Sequence, residues 1–122
     1  MASPVLVLLY SADWDSRAQA ATVAVTAAAL GDRVVIALFG GALRAWVEGR
    51  FDDGAPAGAL PMGSLAGMLD GGRRDLGVEV VACETAIRVA GLDPDAVRPR
   101  LDAVRGLPEL WHQSAGGRVL TF

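Results

Sequence analysis

Cys83 is the side chain whose type and position point most directly to nucleophilic chemistry. It is the only cysteine in the sequence, and it ends an apolar run, 78–83, that helical sequence follows. Unpaired backbone N–H groups and the helix dipole at such a junction stabilise a thiolate. Glu84 adds a neighbouring negative charge, which Arg88, one turn later, can offset by pairing with it. The alternative is that Cys83 is a small buried hydrophobic residue, a common environment for free cysteine.

Other candidate site residues follow the predicted strands in the same way. Ser11 comes after the first apolar run, Gly40 and Gly41 after the second, and Thr85 two residues after Cys83. In open α/β sheets the binding crevice lies outside the carboxyl ends of the strands. We therefore expect the binding residues of the protein to come from these positions.

Asp13 and Asp15 support a different hypothesis. An Asp-x-Asp element after a first strand can hold magnesium and form an aspartyl-phosphate. The lysine that such enzymes usually employ is absent, because all 11 basic residues are arginine. Capping of the following helix is the simpler explanation for both carboxylates. The same two charges disfavour a nucleotide phosphate here, and no G-x-G-x-x-G motif is present, so we expect no cofactor.

A metal site is not expected either. One cysteine and one histidine, His112, exclude a Cys-rich zinc site and a poly-histidine site. His112 follows Trp111, and its only acidic neighbour at helical spacing is Glu109. A lone histidine in this setting is typical of a surface or an interface rather than of a catalytic base.

The pattern of apolar runs indicates how these residues are positioned. Runs over 5–10, 33–39 and 78–83 are short, apolar except for Arg33 and Glu79, and bounded by turn residues, which is typical of strands buried on both faces of a parallel sheet. A last strand is predicted over 118–122, after a turn at Gly116 and Gly117.

Helical sequence separates these strands. We predict helices from Trp14 or Asp15 to Leu30, over 42–48, over 84–90 and over 107–115, with a short segment capped by Asp93-Pro94. Another helix contains Leu65, Met68 and Leu69 and ends at Gly71-Gly72, and 49–61 is a loop in which Asp52 and Asp53 face solvent. Strands alternating with helices predict a single domain over 1–122 with a three-layer α/β/α architecture and a mainly parallel sheet.

Composition restricts the class of protein further. The chain has 122 residues, 52% of them hydrophobic, and a net charge of −3, so its field does not attract nucleic acid or anionic lipid. No apolar stretch reaches the length of about 20 residues that a membrane-spanning helix requires, and the N-terminus lacks the basic region of a signal peptide. We expect a cytoplasmic protein with no membrane or nucleic-acid partner.

Several landmarks together resemble the DsrE/DsrF-like (DsrEFH) family. They are the strand-helix-strand start, Phe39-Gly40-Gly41, the segment 77–83 that runs into a helix ended by Gly91-Leu92, and the tail 117–122. The resemblance covers essentially the whole chain. It implies a small cytoplasmic α/β protein that assembles into homo- or hetero-oligomers and relays sulfane sulfur between a donor and an acceptor protein.

The resemblance also implies roles for the candidate residues. The sulfur-carrying cysteine of the family corresponds to Cys83, which would hold sulfur as a persulfide and make the chain sulfurtransferase-like. Thr85 and backbone N–H groups near Gly40 and Gly41 would donate hydrogen bonds, and Ser11 would line the same crevice.

The alternative within the same fold is a non-catalytic oligomeric scaffold, in which Cys83 is inert. Surfaces around Trp46 and Trp111 would then make the subunit contacts. Trp46, Met62, Met68 and Leu69 flank the 49–61 loop and would form an apolar patch.

Overall fold

The computed structural model describes residues 2–60 and 63–122. The strands are β1 (Pro4–Leu9), β2 (Arg33–Leu38), β3 (Glu79–Ala82), β4 (Ala103–Val104) and β5 (Arg118–Thr121). The helices are α1 (Trp14–Ala29), α2 (Gly40–Val47), α3 (Leu65–Leu76), α4 (Glu84–Val89), α5 (Pro94–Val97) and α6 (Leu107–Gln113), with a 3₁₀ turn over Arg98–Arg100. Pro61 and Met62, at the end of the predicted loop and in the predicted patch, lie outside the described residues.

The described strands form one five-stranded sheet in the order β4-β3-β2-β1-β5, and every pairing is parallel. Connections between parallel strands are right-handed. Because β1 to β4 are added in one direction, α1 to α5 lie on one face of the sheet. The connection from β4 back to β5 runs in the opposite direction, which places α6 alone on the other face. The predicted α/β architecture with a parallel sheet is confirmed.

Alternating strand residues divide the core between the two faces. Val7, Ile36 and Val80 point toward α1 to α5, where the larger hydrophobic cluster lies. Leu6, Ala37 and Val81 point the other way and pack against Leu110 of α6. Both faces of the central strands are therefore covered, as their continuous apolar sequence predicts.

Alanine determines how closely α1 packs on the sheet. Ala20, Ala21, Ala24 and Ala28 are buried along one stripe of the helix. These small side chains let the helix backbone approach the strands. Asp13 occupies the N-cap position, as predicted, although its carboxylate makes no capping hydrogen bond.

The prediction that Gly71-Gly72 ends a helix is wrong. α3 continues to Leu76 and ends at Gly77, whose φ of 72° is readily adopted by glycine. Gly72 is buried, and a Cβ atom there would lie 3.0 Å from Val25 Cγ2 of α1. Glycine at this position therefore serves the close approach of α3 to α1 rather than helix termination.

The loop after α2 is tied to two helices. The Asp52 carboxylate accepts hydrogen bonds from the backbone N–H groups of Leu65 and Ala66 at the start of α3. The buried Arg17 guanidinium donates to the carbonyl oxygen of Asp53. Burial lowers the pKa of Arg17, although the charges of Asp53 and Asp52 oppose this effect. The prediction that Asp52 simply faces solvent is wrong, because its charge caps α3.

Trp46 is fully buried, so the prediction that it forms a contact surface is wrong. Its Nε1 donates to the carbonyl oxygen of Arg100 at 2.7 Å, and its ring meets Phe51 edge to face at 5.2 Å between centroids. Leu69 is also buried, which removes a second member of the predicted apolar patch. Trp111 remains 60% exposed, and its role in subunit contacts stays a prediction.

Candidate functional site at the ends of β3 and β4

Cys83 lies where β3 ends and α4 begins. Its backbone is extended, with φ −88° and ψ 156°, and it forms the N-cap of α4. The Sγ atom accepts a hydrogen bond from the backbone N–H of Ala86 at 3.2 Å. The side chain is half-buried and packs against the larger core cluster. The sulfur is thus held in place beside a backbone donor.

The connections after β3 and β4 leave the sheet on opposite faces. β3 leads to α4 on one face, and β4 leads to α6 on the other. Such a divergence between neighbouring parallel strands opens a crevice at their carboxyl ends, where ligands bind in α/β proteins. Cys83 is the residue that follows β3, so it lies at this crevice.

A cavity of about 650 Å³ occupies this position. Its lining is formed by the ends of β2, β3 and β4 and by the first residues of α4 and α6. The lining residues are Phe39, Gly40, Cys83, Glu84, Thr85, Ala86, Val89, Val104, Gly106, Leu107 and Pro108. This volume is within the range of about 300–1,000 Å³ that is typical of small-molecule sites.

The structure brings some of the predicted site residues together. Cys83, Gly40 and Thr85 line the same cavity. Gly40 has a φ of 49°, a conformation that favours glycine, where the chain turns from β2 into α2.

Ser11 and Gly41 make local contacts away from the cavity lining. The Ser11 hydroxyl accepts a hydrogen bond from the backbone N–H of Asp13 at 3.1 Å. A Cβ atom on Gly41 would lie 2.6 Å from the Cβ of Ala12. Gly41 is therefore the point where α2 passes close to the β1–α1 loop.

Glu84 forms the predicted pair with Arg88, with Nη2 and Oε1 separated by 3.0 Å. Both side chains are more than half exposed, so solvent screens the pair and its contribution to stability is small. Glu84 also lines the cavity. Arg88 does not line the cavity, so it balances the negative charge of Glu84 from outside.

β4 is the part of the site that sequence reasoning missed. It has only two residues, which pair with Val81 and Ala82 of β3. The Asp102 carboxylate, just before β4, accepts hydrogen bonds from Arg73 Nε and Nη2 at 2.9 and 2.8 Å and from the Val80 N–H at 2.7 Å. Partial burial alone would raise the pKa of Asp102, but these hydrogen bonds and the Arg73 charge outweigh it, so the pKa is lowered.

A second ion pair holds the other end of β4. Arg105 Nη2 lies 2.7 Å from Glu79 Oε2, and the hydrogen bond with Glu79 raises the pKa of Arg105. The two pairs fix β4 against β3 and so place Val104 and Leu107 on the cavity wall. The part of the wall that α6 contributes does have a sequence signal. Pro108 follows Gly106, and proline in the first turn of a helix is typical of a helix start.

The remaining candidates lie elsewhere. Asp13, Asp15 and His112 are exposed. Within the described residues, no three His, Cys, Asp or Glu side chains are placed to hold a metal ion. A smaller cavity of about 220 Å³ lies on the α6 face, at the amino ends of β1, β2 and β3. Its lining includes Arg33, Arg105 and Glu79 and none of the predicted site residues.

The fold and the site together define a small parallel α/β protein with a cysteine at a strand-end cavity. The crystal structure of the YchN protein from E. coli has a similar fold. It matches the chain with a TM-score of 0.69 and 19% sequence identity, and the match covers 100% of both chains. This degree of similarity shows that the chain shares the fold of YchN.

The other comparisons give no match. No family model and no curated protein matches the sequence. No helix formed by residues 2–60 or 63–122 combines the length and apolar character needed to cross a membrane.

Proposed function

We propose that the protein is a sulfur carrier that accepts sulfane sulfur on Cys83 as a persulfide and passes it to the thiol of a partner protein. The observation that carries this proposal is the position of the Cys83 sulfur, which accepts the Ala86 N–H at 3.2 Å and lines a cavity of about 650 Å³. The backbone N–H at this distance holds the sulfur in a fixed position facing the cavity. The resemblance of the sequence to the DsrE/DsrF-like family and the fold shared with YchN support the same function.

The reaction proceeds in two thiol-exchange steps. In the first, the Cys83 thiolate attacks the outer sulfur of a donor persulfide, R–S–SH. The donor S–S bond breaks, Cys83–S–SH forms, and R–S⁻ leaves. In the second, an acceptor thiolate attacks the outer sulfur of Cys83–S–SH, forms the acceptor persulfide and regenerates the Cys83 thiolate. Neither step requires an external oxidant or reductant.

Thr85 and Gly40 would assist by their position on the same cavity wall. The Thr85 hydroxyl and the backbone near Gly40 are proposed to donate hydrogen bonds to the persulfide anion. Ser11 and Gly41 would act indirectly, by fixing the β1–α1 loop and α2 next to the site. Assembly of several copies of the chain belongs to the same proposal, with the exposed Trp111 as a contact residue.

A Cys83→Ser variant gives a clean test, because serine is a favoured N-cap residue. Its hydroxyl can accept the Ala86 N–H, so the variant keeps the fold. After incubation with a ³⁵S-labelled persulfide donor and desalting, the wild type should retain label that a reducing thiol releases. Cys83→Ser should retain none. Equal retention by both proteins would refute the proposal, and retention by neither would favour the oligomeric scaffold.

A further inference from the structure

The cavity beside Cys83 has a wall that is mainly apolar. Phe39, Ala86 and Val89 form one part of it, and Val104 and Leu107 form the part contributed by β4 and α6. Val89 is 80% exposed and Leu107 is 41% exposed. Apolar side chains left this open to solvent favour a ligand that covers them.

The charge of the wall is equally distinctive. Glu84 is the only charged residue among the described residues that line the cavity. Arg88, its partner, lies outside the lining, and no other arginine contributes to it. The lining of the smaller cavity, at the amino ends of β1, β2 and β3, by contrast includes Arg33 and Arg105. Because Arg88 pairs with Glu84 at 3.0 Å, the charge of Glu84 is balanced, and the described wall offers no unpaired guanidinium to an anion that enters the cavity.

We infer that the donor that transfers sulfur to Cys83 is a small organic persulfide whose organic group is uncharged and apolar, and that this group occupies the cavity. The inference rests on the proposed function and adds the substrate class. The cavity volume fits a small molecule. Burial of apolar surface on Val89 and Leu107 favours such a group, whereas the described wall holds no unpaired positive charge that could bind a small anionic donor such as thiosulfate.

The exchange follows the balance of the first step above. The Cys83 thiolate and R–S–SH give Cys83–S–SH and R–S⁻, and R is the apolar group that fills the cavity. The departing R–S⁻ leaves the cavity and takes a proton from water, which removes its charge from the neighbourhood of Glu84.

Methanethiosulfonate reagents test this preference directly, because they attach different groups to a thiol by the same chemistry. The benzyl, ethyl, sulfonatoethyl and trimethylammonioethyl reagents would be reacted with the wild type, and each rate divided by the rate with a short unstructured cysteine peptide. We expect the normalised benzyl rate to exceed the sulfonatoethyl rate by about tenfold. Equal normalised rates, or a trimethylammonioethyl rate above the benzyl rate, would overturn the inference.

Two matched pairs of variants assign the preference to the wall. Leu107→Ala should remove most of the benzyl advantage and leave the ethyl rate unchanged. Leu30→Ala, at the exposed C-cap of α1, is the control and should change neither the benzyl rate nor the ethyl rate. Glu84→Gln leaves Arg88 without its ion-pair partner beside the cavity, so it should raise the sulfonatoethyl rate about threefold at low salt, and Glu109→Gln should not. A benzyl advantage that survives Leu107→Ala unchanged would contradict this placement of the ligand.

A parallel assay separates this inference from the proposed function. Uptake of sulfur by the wild type would be compared for benzyl persulfide and thiosulfate by intact mass spectrometry. Uptake from benzyl persulfide alone supports both statements. Equal uptake from both donors refutes the substrate class and leaves the carrier function standing. No uptake from either donor, with the reagent preference intact, refutes the carrier function and leaves the preference of the cavity standing.

Discussion

Replacing Asp102 with asparagine tests how the short strand β4 is held beside the site. The Asp102 carboxylate receives two hydrogen bonds from Arg73 of α3 and one from the Val80 N–H of β3. Asparagine has the same shape but no charge and a single acceptor oxygen. That oxygen can take the place of Oδ2, which accepts from both the Val80 N–H and Arg73 Nε. The amide nitrogen then faces Arg73 Nη2, so this hydrogen bond and the charge of the pair are lost.

The magnitude follows from the exposure of the pair. A hydrogen bond between charged groups contributes about 1.5–3 kcal/mol when protected from water. The side chains of Arg73 and Asp102 are 20% and 31% exposed, so solvent screening reduces this value. We expect Asp102→Asn to lower the free energy of unfolding by about 1–2 kcal/mol, which corresponds to a fall in Tm of roughly 4–8 °C for a chain of this length.

Thermal and urea unfolding, followed by circular dichroism at pH 7, would measure this change. Asp75→Asn is the matched control, because Asp75 pairs only with its neighbour Arg74 at 3.3 Å and is 65% exposed. Its effect should stay below about 0.5 kcal/mol. A change of that small size in Asp102→Asn would refute the role assigned to Asp102.

The pH dependence provides a second check. The pKa of Asp102 is lowered in the folded protein, so its stabilising effect is fully present above the unfolded value of about 3.9 and is lost as the pH falls through the folded pKa. The difference in stability between the wild type and Asp102→Asn should therefore be constant between pH 6 and 8 and shrink below about pH 4. A difference that grows on acidification would contradict the argument.

Four other variants test the core and the glycines. Trp46→Phe should lower the free energy of unfolding by about 2–3 kcal/mol in urea titrations, because it removes the 2.7 Å hydrogen bond to the Arg100 carbonyl and leaves a void; an unchanged midpoint would contradict this. Gly41→Ala should lower the free energy of unfolding by about 1–3 kcal/mol, because the added methyl would lie 2.6 Å from Ala12 Cβ. A Tm equal to that of the wild type would contradict this and show that the β1–α1 loop adjusts freely. Gly71→Ala should raise the Tm, since its methyl meets only Arg74 Nη2 at 3.8 Å and the substitution adds about 0.5–1 kcal/mol of helix propensity. Gly72→Ala should lower the Tm through contact with Val25, and the opposite order of these two variants would refute the packing described for α3.

Much of the fold follows from the sequence because four strands carry strong local signals. The runs around Val7, Ile36 and Val80 are apolar on both faces, and only a sheet covered on both sides accommodates them. The β1, β2, β3 and β5 strands lie within two residues of their predicted bounds. Ala103–Val104 carries no such signal, because β4 is held by tertiary contacts of Asp102 and Arg105.

The site was predictable only in part, for the same reason. The position of Cys83 follows from the end of an apolar run, and Thr85 follows from its neighbourhood in the chain. The cavity wall from β4 and α6 depends on the strand order, which local sequence does not encode. Gly72 and Trp46 were misjudged because each is determined by what packs against it: Gly72 by Val25 and Val78, and Trp46 by Phe51 and Arg100.

The central claim is that Cys83 carries sulfur, and intact mass spectrometry tests it most directly. The reduced wild-type protein would be incubated with a persulfide donor, desalted, weighed, and weighed again after addition of an acceptor thiol. The carrier function predicts a gain of one sulfur atom on the wild type, its loss to the acceptor, and no gain on Cys83→Ser. A wild type that gains no sulfur, or a Cys83→Ser protein that gains as much, would contradict it.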